Sequence, residues 1–149
     1  SESSVPGISL PVRLVDALCM ACRVFIADDV EPLRVLWAQV LVEHGDIEVV
    51  GDAGDGEAAI EGVKATRPDV LVLDLSMPRV DGLEVIRALR EEVPETSIVV
   101  ASGFSSERLA PLALELGASA YFEKGSPVER LRDAVLGACR RSSPAAVSS

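Results

Sequence analysis

The chain has 149 residues, of which 48% are hydrophobic and 26% are charged, and its formal net charge is −10. This length and composition are typical of one globular domain with short tails and exclude a disordered chain. The acidic balance, without a basic cluster, argues against contact with nucleic acid or an anionic membrane. Neither a signal peptide nor an apolar stretch of the ~20 residues that span a membrane is found, so we expect a cytoplasmic protein.

Short apolar runs predict five strands, and a segment of helical periodicity follows each of them. The predicted strands are Arg23–Ala27, Ile47–Val50, Val70–Asp74, Ser97–Ala101 and Ala120–Phe122. The predicted helices are Glu31–Glu43, Gly56–Ala65, Asp81–Glu91, Ala110–Leu116 and Val128–Arg140. The glycine-rich stretch 51–56 is interpreted as a loop before the second helix. Five βα units predict an α/β fold with a doubly wound, five-stranded parallel sheet.

The alternating elements define one domain, residues 22–140, between two terminal segments. Residues 1–21 are interpreted as an N-terminal extension that is loosely packed or forms one short helix over Pro11–Met20. A further interpretation takes Met20 as the natural start of the protein. Residues 141–149 are rich in Ser, Ala and Pro and are predicted to be disordered.

The cysteines are Cys19, Cys22 and Cys139. An odd number without framework spacing fits a reducing compartment. Cys19 and Cys22 form a C-x-x-C sequence, but it precedes a strand, whereas a redox pair of this kind normally opens a helix after a strand. We therefore interpret this pair as ordinary small apolar residues.

Acidic residues follow two of the predicted strands. Asp28 and Asp29 come directly after the first strand, and Asp74 ends the third. Ligands of open parallel sheets bind outside the carboxyl ends of the strands, so neighbouring strands would bring these three carboxylates into one site. Their mutual repulsion is relieved by a hard divalent cation, and Mg²⁺ takes oxygen ligands of this kind.

Together with motifs further along the chain, these aspartates resemble the response-regulator receiver domain, a CheY-like module of two-component signalling. The resemblance runs from Arg23 to about Ala138. Besides the acidic pair, the sequence DLSMPRVDG at 74–82 matches the D-[LI]-x-M-P-x-x-[DN]-G signature of the phosphorylation site. Ser102 matches the hydroxyl residue that ends the fourth strand. The sequence YFEK at 121–124 matches the aromatic-x-x-Lys ending of the fifth strand. The ending around Lys124 is more similar to receivers of the NarL-like class than to those of the chemotaxis class.

The resemblance implies a flavodoxin-like strand order, 2-1-3-4-5, and a role for each matched residue. Asp74 is then the phosphoacceptor. Magnesium is held by Asp28, Asp29, Asp74 and the backbone carbonyl of Ser76, with Asp28 acting mainly through a bound water. Lys124 and Ser102 contact phosphoryl oxygens, and Ser102 and Tyr121 form the conformational switch.

The implied partners are proteins: a sensor histidine kinase or histidine phosphotransfer protein upstream, and a downstream target or a second copy of the chain, contacted through the fourth helix, fifth strand and fifth helix. Direct contact with nucleic acid or a membrane is not expected. About ten residues follow the last helix, so we expect either a single-domain regulator or an excised domain. One alternative function is a receiver-fold module that no longer uses phosphate. Another is a small α/β hydrolase or phosphatase, although Asp74 lacks the D-x-D pattern of aspartyl-phosphate phosphatases.

Overall fold

The computed structural model describes residues 21–75, 77, 81–103 and 108–142, in which strands and helices alternate. The strands are β1 (Cys22–Ala27), β2 (Ile47–Ala53), β3 (Val70–Asp74), β4 (Ser97–Ser102) and β5 (Ala120–Glu123). The helices are α1 (Glu31–Val42), α2 (Gly56–Thr66), α3 (Gly82–Glu92), α4 (Ala110–Glu115) and α5 (Val128–Ser142).

All five strands lie in one parallel sheet with the order β2-β1-β3-β4-β5, which confirms the predicted topology. Ala27 of β1 pairs with Leu73 of β3, and Asp74 pairs with Ala101 of β4. Because the strands are parallel, their carboxyl ends meet along one edge of the sheet. That edge is where the predicted functional residues lie.

The sheet separates two apolar layers. β3 is buried along its whole length, as expected for a central strand covered by helices on both faces. On one face α1 and α5 pack against the sheet and bury side chains of their own that include Trp37, Leu41 and Val135. We call this the α1–α5 layer. On the other face α2, α3 and α4 pack against the sheet and bury side chains of their own that include Val63 and Leu89. We call this the α2–α4 layer.

Local signals set the ends of several helices. The Asp55 carboxylate accepts the backbone N–H of Ala58 at 2.8 Å and caps α2, and the Asp81 carboxylate accepts that of Leu83 at 2.7 Å and caps α3. Side-chain acceptors of this kind satisfy donors that the first helical turn leaves unpaired. Arg67 ends α2 in the left-handed region, with φ at 48°.

The second strand extends further than the sequence predicts. The prediction that it ends at Val50 is wrong, because Gly51 to Ala53 continue to pair with β1. The pairing register shifts between Val24 and Phe25, so Phe25 lies opposite Gly51. A Cβ on Gly51 would lie 2.8 Å from the Phe25 ring, and one on Gly62 of α2 would lie 2.4 Å from it. The two glycines thus make room for the Phe25 ring.

Cys22 and Cys139 form a disulfide in this structure, with their Cα atoms 6.2 Å apart. Our interpretation of Cys22 as an ordinary small apolar residue is therefore wrong. The sequence separation of 117 residues hides the contact, which exists only because α5 returns its last turn to the start of β1. Cys19 lies outside the described residues.

The last helix also ends beyond the predicted boundary at Arg140, since α5 continues to Ser142. Segments 1–20 and 143–149, with the predictions made for them, lie outside the described residues. Among the helices described, none combines the length and the apolar character needed to cross a membrane.

Candidate functional site

The carboxyl edge of the sheet brings the predicted site residues together. Asp28 and Asp29 follow β1, Asp74 is the last residue of β3, Ser102 is the last of β4, and Lys124 follows β5. Asp28 and Asp74 are almost fully buried, whereas Asp29 is exposed. The site is therefore a pocket of buried carboxylates with one further carboxylate at its mouth.

Lys124 links two of these strand ends electrostatically. Its Nζ lies 2.9 Å from Oδ2 of Asp28 and 3.4 Å from Oδ2 of Asp74. Burial alone would lower the pKa of Lys124, but the hydrogen bond from its ammonium to Asp28 and the charges of Asp74 and Asp28 outweigh that effect and hold the pKa above its usual value. Lys124 is therefore a protonated cation at neutral pH.

Backbone and side-chain hydrogen bonds fix the orientation of Asp28. Its Oδ1 accepts the backbone N–H of Val30 at 2.8 Å. Arg34, from the first turn of α1, donates from Nη1 to the backbone carbonyl of Asp28 at 2.6 Å and from Nε to Asp52 at 2.8 Å. Sequence reasoning missed Arg34, because one arginine among the surface charges of a helix carries no signal of its own.

The three carboxylates have the geometry and chemistry of a divalent cation site. Asp28, Asp29 and Asp74 each offer an oxygen, and these oxygens lie within 4.8 Å of one another. An all-oxygen donor set suits a hard cation such as Mg²⁺ rather than a soft metal. The residues therefore fit the expected magnesium. The carbonyl of Ser76, predicted as a further ligand, lies outside the described residues.

Ser102 and Tyr121, predicted as the switch pair, contact each other. The Ser102 hydroxyl is buried and donates to the phenolic oxygen of Tyr121 at 3.3 Å. The backbone N–H of Lys124 also donates to the carbonyl of Ser102 at 2.9 Å. The end of β4 is thus tied both to the aromatic ring of β5 and to the segment that carries the site lysine.

The ring of Trp37 lies close to the Lys124 ammonium and packs against the ring of Phe122. Trp37 is 2% exposed, and its ring meets that of Phe122 edge to face with centroids 6.1 Å apart. The Nζ of Lys124 lies 5.8 Å from the centroid of the Trp37 ring, within the range of a cation–π contact. The helical spacing of Leu33, Trp37 and Leu41 is typical of a buried helix face, but it carries no information on this contact.

Comparisons with known proteins agree on one family. A family model for the response regulator receiver domain matches residues 24–136. The chain is 40% identical over 110 residues to the oxygen regulatory protein NreC of Staphylococcus epidermidis, a match covering 73% of this chain and 50% of NreC. It is 34% identical over 113 residues to the transcriptional regulatory protein DegU of Brevibacillus brevis, covering 76% and 48%.

Among solved structures, the receiver domain of AraT, a response regulator from Geobacillus stearothermophilus, superposes with a TM-score of 0.74 and 34% identity, covering 82% of this chain and 95% of that one. The chain belongs to the response regulator receiver domain family. It is a phospho-accepting receiver of two-component signalling, as the resemblance implied. It spans about half the length of the curated relatives that it matches.

Proposed function

We propose that Asp74 is the residue that accepts the phosphoryl group, from a phosphohistidine of a sensor histidine kinase or a histidine phosphotransfer protein. The observation that carries this assignment is the buried Asp74 carboxylate at the end of β3, 3.4 Å from the Lys124 ammonium. An Asp74 oxygen attacks phosphorus, an O–P bond forms, and the P–N bond breaks. The imidazole leaves with the electron pair of that bond and takes up a proton.

In this proposal the carboxylates of Asp28, Asp29 and Asp74, with the carbonyl of Ser76, would hold the Mg²⁺. When bound, the cation neutralises negative charge on the carboxylates and on the transferring group. The exposed Asp29 would be the direct ligand, and Asp28, whose oxygens already accept from Val30 and Lys124, would act mainly through a bound water. This division keeps the buried hydrogen bonds of Asp28 in place.

Lys124 and Ser102 hold the phosphoryl group once it is attached. The ammonium of Lys124 pairs with one phosphoryl oxygen as a point charge. The Ser102 hydroxyl, 3.3 Å from the Tyr121 oxygen in this structure, moves to donate to another. Tyr121 then turns into the space that Ser102 leaves, so a local change of charge is read out at the surface.

The surface that changes is formed by α4, β5 and α5, and it contacts protein. Leu112 of α4 is 47% exposed on this surface, where a downstream target or a second copy would bind. The net charge of −10 supports a protein partner over direct contact with nucleic acid or a membrane. The chain acts in the cytoplasm as a signalling phosphoacceptor that assists its own phosphorylation and dephosphorylation, without turning over a separate substrate.

Incubation with acetyl phosphate and Mg²⁺, followed by intact mass measurement, tests the assignment. The wild-type chain should gain one phosphoryl mass, and Asp74→Asn or added EDTA should abolish the gain. Asp55→Asn is the matched control, because an asparagine caps α2 as well as an aspartate does and the residue lies outside the carboxylate site.

Modification of Asp74→Asn at the wild-type rate would refute Asp74 as the acceptor. No mass gain in the wild-type chain, with either acetyl phosphate or a phosphorylated kinase domain, would instead favour a receiver-fold module that works without phosphate.

A further inference from the structure

The edge of the sheet opposite the carboxylate site carries a sulfur pair that the receiver chemistry does not use. Cys22 is the first residue of β1 and is 3% exposed, and Cys139 lies in the last turns of α5 and is partly exposed. Their sulfur atoms are bonded in this structure. The phosphoryl chemistry takes place at the other ends of the same strands, so the pair is a separate feature of the fold.

We propose that Cys22 and Cys139 form a reversible disulfide that pins the end of α5 to β1 and makes the stability of the receiver depend on the thiol–disulfide balance of its surroundings. The proposal is independent of the acceptor role of Asp74, since neither sulfur takes part in that chemistry.

The position of α5 explains why this cross-link adds a constraint that packing does not supply. α5 packs mainly on β4 and β5, whereas Cys22 belongs to β1, which lies beyond β3 in the sheet. The cross-link therefore reaches across one strand and joins the first and last elements of the domain. A link that closes so long a loop removes much of the freedom of the unfolded chain.

Neighbouring contacts hold the two sulfurs in place. Ala138, beside Cys139, is fully buried, and its carbonyl accepts the Ser97 hydroxyl at 3.4 Å. Arg132, two turns earlier, pairs with Asp46 in the loop between α1 and β2. Because the Ser97 and Arg132 contacts anchor α5 without the cross-link, the reduced chain stays folded and the exchange is reversible.

Asp69 decides between a disulfide and a metal as the occupant of this site. A carboxylate oxygen of Asp69 lies within 4.8 Å of both sulfurs, so the trio could hold a cation. That carboxylate already accepts the backbone N–H of Arg23 at 2.9 Å. A closed structural zinc site takes four ligands, whereas the described residues here offer three, and a disulfide needs only the two sulfurs. These observations favour the disulfide.

The reaction needs an oxidant, and a low-molecular-weight disulfide supplies it. The partly exposed Cys139 attacks one sulfur of that molecule, whose S–S bond breaks and releases one thiolate. Cys22 then attacks the Cys139 sulfur of the mixed disulfide, the Cys22–Cys139 bond forms, and the second thiolate leaves. The two cysteine protons go to the two released thiolates, so two thiols are oxidised as one disulfide is reduced.

Alkylation and peptide mapping of the full chain, equilibrated with oxidised or reduced glutathione, test the pairing. In the oxidised buffer Cys22 and Cys139 should be linked and Cys19 should stay outside the link, alkylated or carrying glutathione, and in the reduced buffer all three should be alkylated. Cys19→Ser is the matched control and should keep the cross-link, whereas Cys139→Ser should lose it. A link that includes Cys19, or full alkylation of Cys22 and Cys139 in the oxidised buffer, would overturn the proposal.

Thermal unfolding of the same samples tests the constraint. The melting temperature of the wild-type chain and of Cys19→Ser should be higher in the oxidised than in the reduced buffer, by about 10 °C. Cys139→Ser should melt at one temperature in both buffers. Each comparison uses one chain in two buffers, so a general loss of stability in the variant does not affect the result.

Hydrogen exchange and zinc binding complete the test. Amides in the last two turns of α5 should exchange more slowly in the oxidised chain, while equal exchange in both forms would contradict the pinning of this helix. Retention of one zinc per reduced wild-type chain after gel filtration, lost in Cys139→Ser, would assign the trio to a metal and would also overturn the proposal.

Discussion

Lys124 serves as an internal counter-ion for the carboxylate site. Its ammonium lies between the buried carboxylates of Asp28 and Asp74, and its Nζ lies 5.8 Å from the centroid of the Trp37 ring. Two carboxylates held this close repel each other unless a cation stands between them. The lysine therefore stabilises the folded receiver, and in the proposed mechanism it also pairs with a phosphoryl oxygen.

Lys124→Met should lower the free energy of unfolding at pH 7 by about 2 kcal/mol, because it leaves the two buried carboxylates without their cation. The folded-state pKa of Lys124 is raised, so its contribution is fully present below the ordinary value of 10.5 and is lost as the pH rises through the folded-state value. Urea unfolding of both chains at pH 7 and at alkaline pH measures this difference. A gap that stays constant across the titration would contradict the charge explanation.

Asp29→Asn should weaken Mg²⁺ binding more than Asp28→Asn does. We expect Asp28→Asn to cost about tenfold, as an outer-shell partner typically does, and Asp29→Asn to cost more. Trp37 is the only tryptophan of the sequence, and its ring lies 5.8 Å from Lys124 Nζ, so its fluorescence should report the binding. Calorimetry provides an independent reading. Equal losses in the two variants would refute the proposed division of roles.

At the scale of elements, local pattern predicted most of the fold, and long-range contact decided the rest. Apolar runs and helix signals identified each strand and helix of the described residues to within a few residues, and three aspartates at strand ends pointed to the candidate site. The continuation of β2 to Ala53 depends on a register shift opposite Phe25, which no local pattern records. The Cys22–Cys139 bond and the contact of Lys124 with Trp37 likewise join residues that are distant in the chain.

Alanine substitutions at two glycines within helices distinguish the steric effect of an added Cβ from its effect on helix propensity. A Cβ on Gly62 would lie 2.4 Å from the Phe25 ring, whereas one on Gly137 of α5 would meet nothing within 4 Å. Gly62→Ala should therefore destabilise the receiver by about 1–2 kcal/mol despite its gain in helix propensity. Gly137→Ala should stabilise it by about 0.5–1 kcal/mol.

Denaturant unfolding of the two alanine variants checks these values, and Phe25→Leu combined with Gly62→Ala should recover part of the loss. If Gly62→Ala were as stable as Gly137→Ala, the explanation that the Phe25 ring leaves no room for a Cβ on Gly62 would be contradicted.

The predicted conformational switch involves α4 and its flanking strands. Beryllofluoride mimics the phosphoryl group, and amide shifts on its addition should cluster at residues 102–125. Ser102→Ala removes the hydroxyl that donates to Tyr121 and should reduce those shifts without blocking phosphorylation of Asp74. Pro111 lies in the first turn of α4, which has only six residues, so the helix has few contacts to break when it moves. Shifts confined to the three aspartates would refute the switch.

At the scale of the whole molecule, we expect beryllofluoride to promote self-association through α4, β5 and α5. Leu112 is 47% exposed on this surface, and Leu112→Ser should weaken the dimer with little change in melting temperature. Val35, 50% exposed on α1, is the matched control, and Val35→Ser should leave the dimer intact. Sedimentation velocity with and without beryllofluoride measures the effect. A monomer in both states would favour a stand-alone regulator that contacts other proteins.

The division of the interior by the sheet has a consequence for how the sequence can change. Val85 of α3 and Val135 of α5 are both fully buried, but they belong to separate clusters of buried side chains on opposite faces of the sheet. The energetic effects of substitutions at such distant sites add, whereas those of neighbours within one layer are coupled. Epistasis in this receiver should therefore be confined to each layer, so that each layer can be repacked in evolution or in design without reference to the other.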